Sequence, residues 1–229
     1  MNTSLTSHDL QNVSPILIVP VGSFEQHGPH LPLDTDTRIA VAVVEEVAQR
    51  HRDLSLVVAP AIAYSASDEH AGFAGTLSTG TEAFTASAIA LARSAKWARG
   101  IIFANGHGGN ADALRTITET LTADGIAHNI WSPPFVDGDD AHAGKTETSL
   151  MLHISPEDVR VDELSIGNTT DVKELLPMMR GSGVIAVSNS GVLGDATQAS
   201  KALGAEIFER YCISFSHLLQ HTATKWPQH

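Results

Sequence analysis

Lysine and arginine are scarce in this chain: 14 of them stand against 26 aspartates and glutamates, for a net charge of −12. A nucleic-acid partner needs clustered cations to displace counterions, so none is expected. Docking on an anionic membrane fails on the same charge. Cysteine occurs once, at Cys212, which excludes an internal disulfide. No apolar run reaches the roughly 18 residues of a membrane span. The first residues, MNTSLTSHDLQN, lack the basic and apolar regions of a signal peptide. Repeats and low-complexity linkers are also missing. These absences predict a soluble cytoplasmic protein with one domain over residues 1–229. At 42% hydrophobic and 17% charged residues, the chain is too apolar for disorder and too polar for a membrane bundle.

Histidine, by contrast, is plentiful. There are 12, several beside Asp, Glu or Gly, a first pointer to metal. Along the chain, short apolar runs alternate with longer helical stretches. Strands are expected at residues 16–21, 56–59, 101–104, 128–131 and 183–187. The first three are nearly continuous apolar runs, as in strands covered on both faces. Helices are expected at residues 36–52, 81–99, 110–124, 146–153 and 197–220. In the last, Ala199, Ala202, Leu203, Ile207, Tyr211, Phe215 and Leu218 form an amphipathic stripe. This alternation predicts an α/β sandwich with a largely parallel sheet. Sites in such sheets form beyond the carboxyl ends of strands.

Three chemistry-bearing segments fall at such places. Residues 25–36, EQHGPHLPLDTD, follow the first strand. Glu25 and His27, two apart, share a face if the segment is extended, and Asp36 lies at the mouth of the next helix. Two carboxylates and an imidazole suit Zn²⁺, Mn²⁺ or Fe²⁺. The same residues also suit a polar loop in which Asp34 or Asp36 caps the helix. His30 and Asp34 read as structural. In NGHGGN, His107 follows a buried strand, and Gly108 and Gly109 let backbone approach an ion or substrate. A plain glycine-rich turn remains open there. In AHAGKTETS, His142 suits a general acid or base, or a capping histidine, and Glu147 lies in the first turn of a helix. The long loop of residues 65–80 reads as a functional lid, with Glu69 and His70 as candidate substrate contacts. No base accompanies Cys212, which reads as core, and Ser23 sits in no nucleophile elbow.

Taken together, PVGSFEQHGPHLPLDTDTRIA, EHAGFAGTLS, NGHGGN, HAGKTETSLML and GVLGDATQASKALG resemble the creatininase family of metal-dependent amidohydrolases, in order and over nearly the whole chain. The resemblance implies a three-layer α/β/α fold, a homo-oligomer and two divalent ions, Zn²⁺ or Fe²⁺, with Mn²⁺ also suited. It implies Glu25, Asp36 and His107 on one ion, and His27 with the shared Asp36 on the other. In creatininase a glutamate two residues after the motif histidine completes the second site. Here that position is Gly109, which offers no ligand, and Glu147 is the expected replacement, as ligand or catalytic group. Two cations would make hydroxide available near neutral pH, and His142 would pass a proton to the leaving amine. The HISPEDV and ELLPMMRGSGVIAVSNSGVLGD stretches resemble a branch acting on peptides. The implied substrate is a modified precursor peptide, cut near its C-terminus to release a Val-Tyr dipeptide. The alternative is a small-molecule amidohydrolase acting on a creatinine-like cyclic amide or a formamide.

Overall fold

The computed structural model describes residues 5–226. Residues 1–4, part of the polar N-terminal stretch considered above, and residues 227–229 lie outside the described residues. Four parallel strands form one sheet in the order β2-β1-β3-β4: β1 (Ile16–Val21), β2 (Leu56–Val58), β3 (Gly100–Asn105) and β4 (His128–Trp131). Among the described residues six α-helices accompany them: α1 (Thr35–Arg50), α2 (Gly80–Ser94), α3 (Ala111–Ala123), α4 (Lys145–Ile154), α5 (Val172–Ser182) and α6 (Lys201–Lys225).

The period-two alternation of the strands divides the core in two. Ile16, Ile18, Ile102 and Ala104 face one side, where α1, α4 and α6 bring Val43, Val47, Met151, Ile207 and Phe215. Leu17, Val19, Ile101 and Phe103 face the other, against Phe84 and Ala88 of α2 and Ile117 and Leu121 of α3. Both faces of β1 and β3 are therefore buried, which is why their sequences are apolar throughout. The result is the expected three-layer α/β/α sandwich. Cys212 is fully buried and its thiol is pushed up to about 12 by burial, as befits a core position. No helix among the described residues is long and apolar enough to cross a membrane.

Two expectations fail. Residues 183–187 are not a strand: Val184–Ala186 is a 3-10 turn, with the Val187 and Ser188 amides both bonding back to the Val184 carbonyl (3.0 and 2.9 Å). Gly183, at φ +76, turns the chain into it, so the apolar run closes on itself and never reaches the sheet. Preceding it, α5 is a helix that the sequence reading missed. Its signals conflict: Asp171 caps it through the Lys173 amide (2.8 Å), but Pro177 sits in its interior and reads as a breaker. The last helix also starts later than expected. Ser200 caps α6 through the Leu203 amide (3.2 Å), and Ala196–Gln198 form a separate 3-10 turn.

The strand order places the site. The chain leaves β1 for β2 on one side and returns through β3 on the other, so the loops after β1 and β3 part above the middle of the sheet. Such a switch point leaves a crevice at the carboxyl ends. Close backbone contact draws its walls together: a Cβ on Gly106 would stand 2.8 Å from the Asp36 carbonyl oxygen. Behind them, α6 lies directly on α4, where a Cβ on Gly204 would meet the Ser149 carbonyl at 1.8 Å. That packing fixes the segment carrying His142 and Glu147.

Candidate functional site

Glu25 and His27 come from the loop after β1, Asp36 from the first turn of α1, His107 from the loop after β3, and His142 and Glu147 from the entry to α4. All but Glu147 are nearly or fully buried, and Glu147 keeps about 20% of its side chain exposed. Three sets of these residues, together with His70, bring ligand atoms close enough to hold a metal ion: Glu25–His27–Asp36, His27–His142–Glu147 and Glu25–His70–His142.

Asp36 is the hub. Its Oδ1 lies 3.1 Å from His27 Nε2, and its Oδ2 lies 3.0 Å from His107 Nδ1 while accepting the Ser23 hydroxyl at 2.8 Å. Each oxygen thus serves a different histidine. The rings are fixed from behind. His27 Nδ1 donates to the Glu25 carbonyl (3.0 Å), His107 Nε2 to the Ala66 carbonyl (2.8 Å) and His142 Nε2 to the Gln26 carbonyl (2.8 Å). Because a carbonyl can only accept, each bond places a proton on that nitrogen and turns the other nitrogen toward the carboxylates. For His142 that inward nitrogen, Nδ1, lies 3.8 Å from Glu25 Oε1. The Gln26 side chain completes the support. Its amide donates to His70 Nδ1 (2.8 Å) and to the Gly191 carbonyl (3.3 Å), while its oxygen accepts the Gly28 amide (2.9 Å).

Glu25 is different. It is fully buried, and neither carboxylate oxygen has a hydrogen-bond partner. His107 Nδ1 at 3.3 Å and His70 Nε2 at 3.4 Å are its nearest basic neighbours. An unsatisfied buried carboxylate is costly, so the site contains an electrostatic demand that its own side chains leave unmet.

The charges follow from this packing. Burial raises Glu25 to about 7, against the pull of His107, and raises Glu147 to about 7, against the pull of His27. For His27, burial disfavours the proton, but Asp36 outweighs it and carries the ring up to about 10. His107 likewise reaches about 10 through Glu25 and Asp36. Asp36, between two cationic rings, is held well below the usual carboxylate range despite its burial. Burial, reinforced by neighbouring histidine charge, takes His70 down to about 3 and holds His142 well below its usual value.

Of the residues singled out in the sequence, Glu25, His27, Asp36, His107, His142 and Glu147 converge. Glu147 Oε2 stands 3.9 Å from His27 Nε2 and accepts the Ala143 amide at 2.5 Å. Ala143 itself sits at φ +51, a strained conformation held between His142 and α4. His70 is buried behind Glu25 and touches Gln26. His30 and Asp34 stay apart: His30 bonds the Thr148 hydroxyl (2.8 Å) and Asp34 pairs with Arg38 (2.8 Å). Gly108, Gly109 and Glu69 line the cavity of about 780 Å³ in front of the cluster.

Gly109 has a specific reason to be glycine. A Cβ there would lie 2.0 Å from Glu69 Oε1 and 2.4 Å from His107 Nε2. The Glu69 carboxylate fills the space that a side chain at 109 would take. Gly109→Ala is expected to shift His107, to lower hydrolytic kcat/KM by about 10–100-fold, the size of effect seen when a supporting contact of a ligand is disturbed, and to lower the melting temperature, since the Ala66 carbonyl also lies in the way. An unchanged kcat/KM would show that both neighbours yield freely. The sequence reading missed Gln26 and the whole contribution of α5, whose Val172, Leu176, Met179 and Arg180 line the cavity. Gln26 could have been suspected from its place between two candidate ligands, whereas α5 was hidden by Pro177.

Comparison with known proteins agrees with this arrangement. The creatininase family profile, described as creatinine amidohydrolase, matches residues 3–219. The chain is 53% identical over 207 residues to the mycofactocin precursor peptide peptidase of Mycolicibacterium smegmatis, covering 89% of this chain and 83% of the relative. It is 52% identical over 213 residues to the protein of that name from Mycobacterium tuberculosis, with 90% and 84% covered. A crystal structure of creatinine amidohydrolase (creatininase) superposes with a TM-score of 0.76 at 22% identity, covering 99% of this chain and 97% of that one, a likeness of fold. With a profile match over most of its length and relatives above half identity, this chain belongs to the creatininase family.

Proposed function

We propose that the chain is a metal-dependent peptidase that hydrolyses an amide bond near the C-terminus of a modified precursor peptide. The observation that carries this reading is Glu25, fully buried with neither carboxylate oxygen hydrogen-bonded, beside inward-facing histidine nitrogens. Divalent cations fit that demand. Ligands about 2.1 Å from one tetrahedral ion stand roughly 3.4 Å apart, close to the separations of His27 from Asp36 (3.1 Å), His107 from Asp36 (3.0 Å) and His107 from Glu25 (3.3 Å). Glu25, Asp36 and His107 would hold one ion. Asp36, His27 and Glu147 would hold the other, with Glu147 supplying the carboxylate that Gly109 lacks. Mixed nitrogen and oxygen donors suit zinc, iron or manganese. When bound, such ions lower the pKa of water and polarise a carbonyl.

The chain's own groups do the rest. The backbone carbonyls of Glu25, Ala66 and Gln26 hold three rings in fixed tautomers. His142 is neutral at pH 7 with Nδ1 free, so it can take the proton that water loses and return it to the leaving amine as the C–N bond breaks. The relatives' shared name supports a precursor peptide as substrate, and the motif resemblance implies loss of a Val-Tyr dipeptide. Creatinine hydrolysis is disfavoured by Gly109. The test is to incubate metal-loaded protein with modified mycofactocin precursor peptide and, separately, with creatinine, following both by mass spectrometry. Dipeptide release without creatinine turnover is expected. Creatinine turnover without dipeptide release would reverse the assignment.

A further inference from the structure

The cavity in front of the cluster is strongly one-sided in charge. Glu25, Asp36 and Glu147 line its depth, and Asp68, Glu69 and Asp112 add three more carboxylates. Against these six acids stands one lining Lys or Arg side chain, Arg180. It lies in the last turn of α5, a helix with no fully buried residue. Val172, Leu176 and Arg180, at i, i+4 and i+8, fall on one face of that helix, and all three line the cavity. The face is therefore an apolar wall ending in a guanidinium.

Arg180 is exposed and has no hydrogen-bond or ion-pair partner among the described residues, although six carboxylates line its cavity. Arg38, Arg50, Arg93 and Arg210 are each paired with an acid at 2.8 Å or less. We infer that Arg180 receives a carboxylate of the peptide substrate, an inference that rests on the peptidase reading above. Outside the proposed ion centre, Asp68, Glu69 and Asp112 would repel an anionic group. At Arg180 a planar fork of donors can take both oxygens of a carboxylate at once. Leu176 and Met179 beside it offer apolar surface to the side chain next to that carboxylate. The carboxylate is either the free C-terminus of the peptide or an Asp or Glu side chain within it.

Both sources can be separated with the metal-loaded full chain. The wild type, Arg180→Gln and Arg180→Lys are assayed on modified precursor peptide in three forms: native, with an amidated C-terminus, and with its Asp and Glu side chains replaced by their amides. Arg180→Gln is expected to raise KM for the native peptide about tenfold with kcat nearly unchanged, as for loss of an ion pair that binds substrate and transition state alike. Arg180→Lys should recover part of that loss. One of the two neutralised peptides should show the same rise with the wild type and no further rise with Arg180→Gln, and which one does so names the source. A KM that ignores Arg180→Gln, or penalties that add in full for both neutralised peptides, would overturn the assignment. If the wild type cleaves none of the peptides, the peptidase reading falls and this inference with it. Cleavage that is indifferent to Arg180 removes the inference alone.

Discussion

Asp36→Asn should reduce hydrolysis by about four orders of magnitude, the scale on which removal of a metal's activating role is felt. Asparagine keeps the shape and the contact with Ser23, but it removes the charge that lies 3.1 Å from His27 and 3.0 Å from His107. Both proposed ions lose a ligand at once, so elemental analysis should find the variant depleted of metal as well as inactive. The metal-free variant should also melt below the metal-free wild type, because two buried rings lose the anion that stabilises their protons. Asp34→Asn is the control. Asp34 pairs with the partly exposed Arg38, and such a pair is worth about 1 kcal/mol or less, so activity and metal content should not move. A fully loaded Asp36→Asn protein with near-normal kcat/KM would end the two-ion reading.

Metal loading should depend steeply on pH. In the metal-free protein His27 and His107 titrate near 10, so at pH 8 both rings carry the proton that a cation must displace. Filling both sites should then release about two protons, measurable by calorimetry in buffers of different ionisation heat, and the overall loading constant should rise about 100-fold per pH unit up to about pH 10. Below about 7 the slope should steepen further, since Glu25 and Glu147 then take up protons too. Folding stability of the metal-free protein should move the other way. His27 and His107 have folded values above the ordinary 6.5, so their contribution is complete below 6.5 and is lost as pH rises toward 10. Melting temperature between pH 7 and 10 should therefore fall without metal and hold up with it. Loading that is independent of pH over that range would mean the rings are already neutral and the ion pairs with Asp36 are absent.

Much of this was legible in the sequence, for physical reasons that differ by segment. The runs ILIVPV and GIIFAN announced buried parallel strands because both their faces are covered, so apolar residues could not alternate with polar ones. Ligand types at strand ends marked the centre, since backbone turns there leave side chains free for chemistry. Residues 183–187 misled because a short apolar run fits a strand and a turn equally well, and only Gly183 decides between them. The supporting carbonyls of Glu25, Ala66 and Gln26 were invisible, as every residue has one and only the fold aims it. The proposed use of Glu147 in place of a missing carboxylate could be guessed, but the filling of the space at Gly109 by Glu69 needed three dimensions.

The parallel sheet has a final consequence, for the order of events when the chain folds. Its strands meet only through long crossovers, and β1 lies between the second and third strands to be made. The groups around Glu25 come from segments more than a hundred residues apart, and His142 is held in place by a bridge to Leu193. Glu25, His27 and Asp36 lie within one short stretch, but the proposed two-ion centre also needs His107 and Glu147 from later segments. Such non-local contacts form late and slowly. Completion of the proposed two-ion centre is thus expected to come late in maturation, which would separate this chain from small domains that fold around their ion.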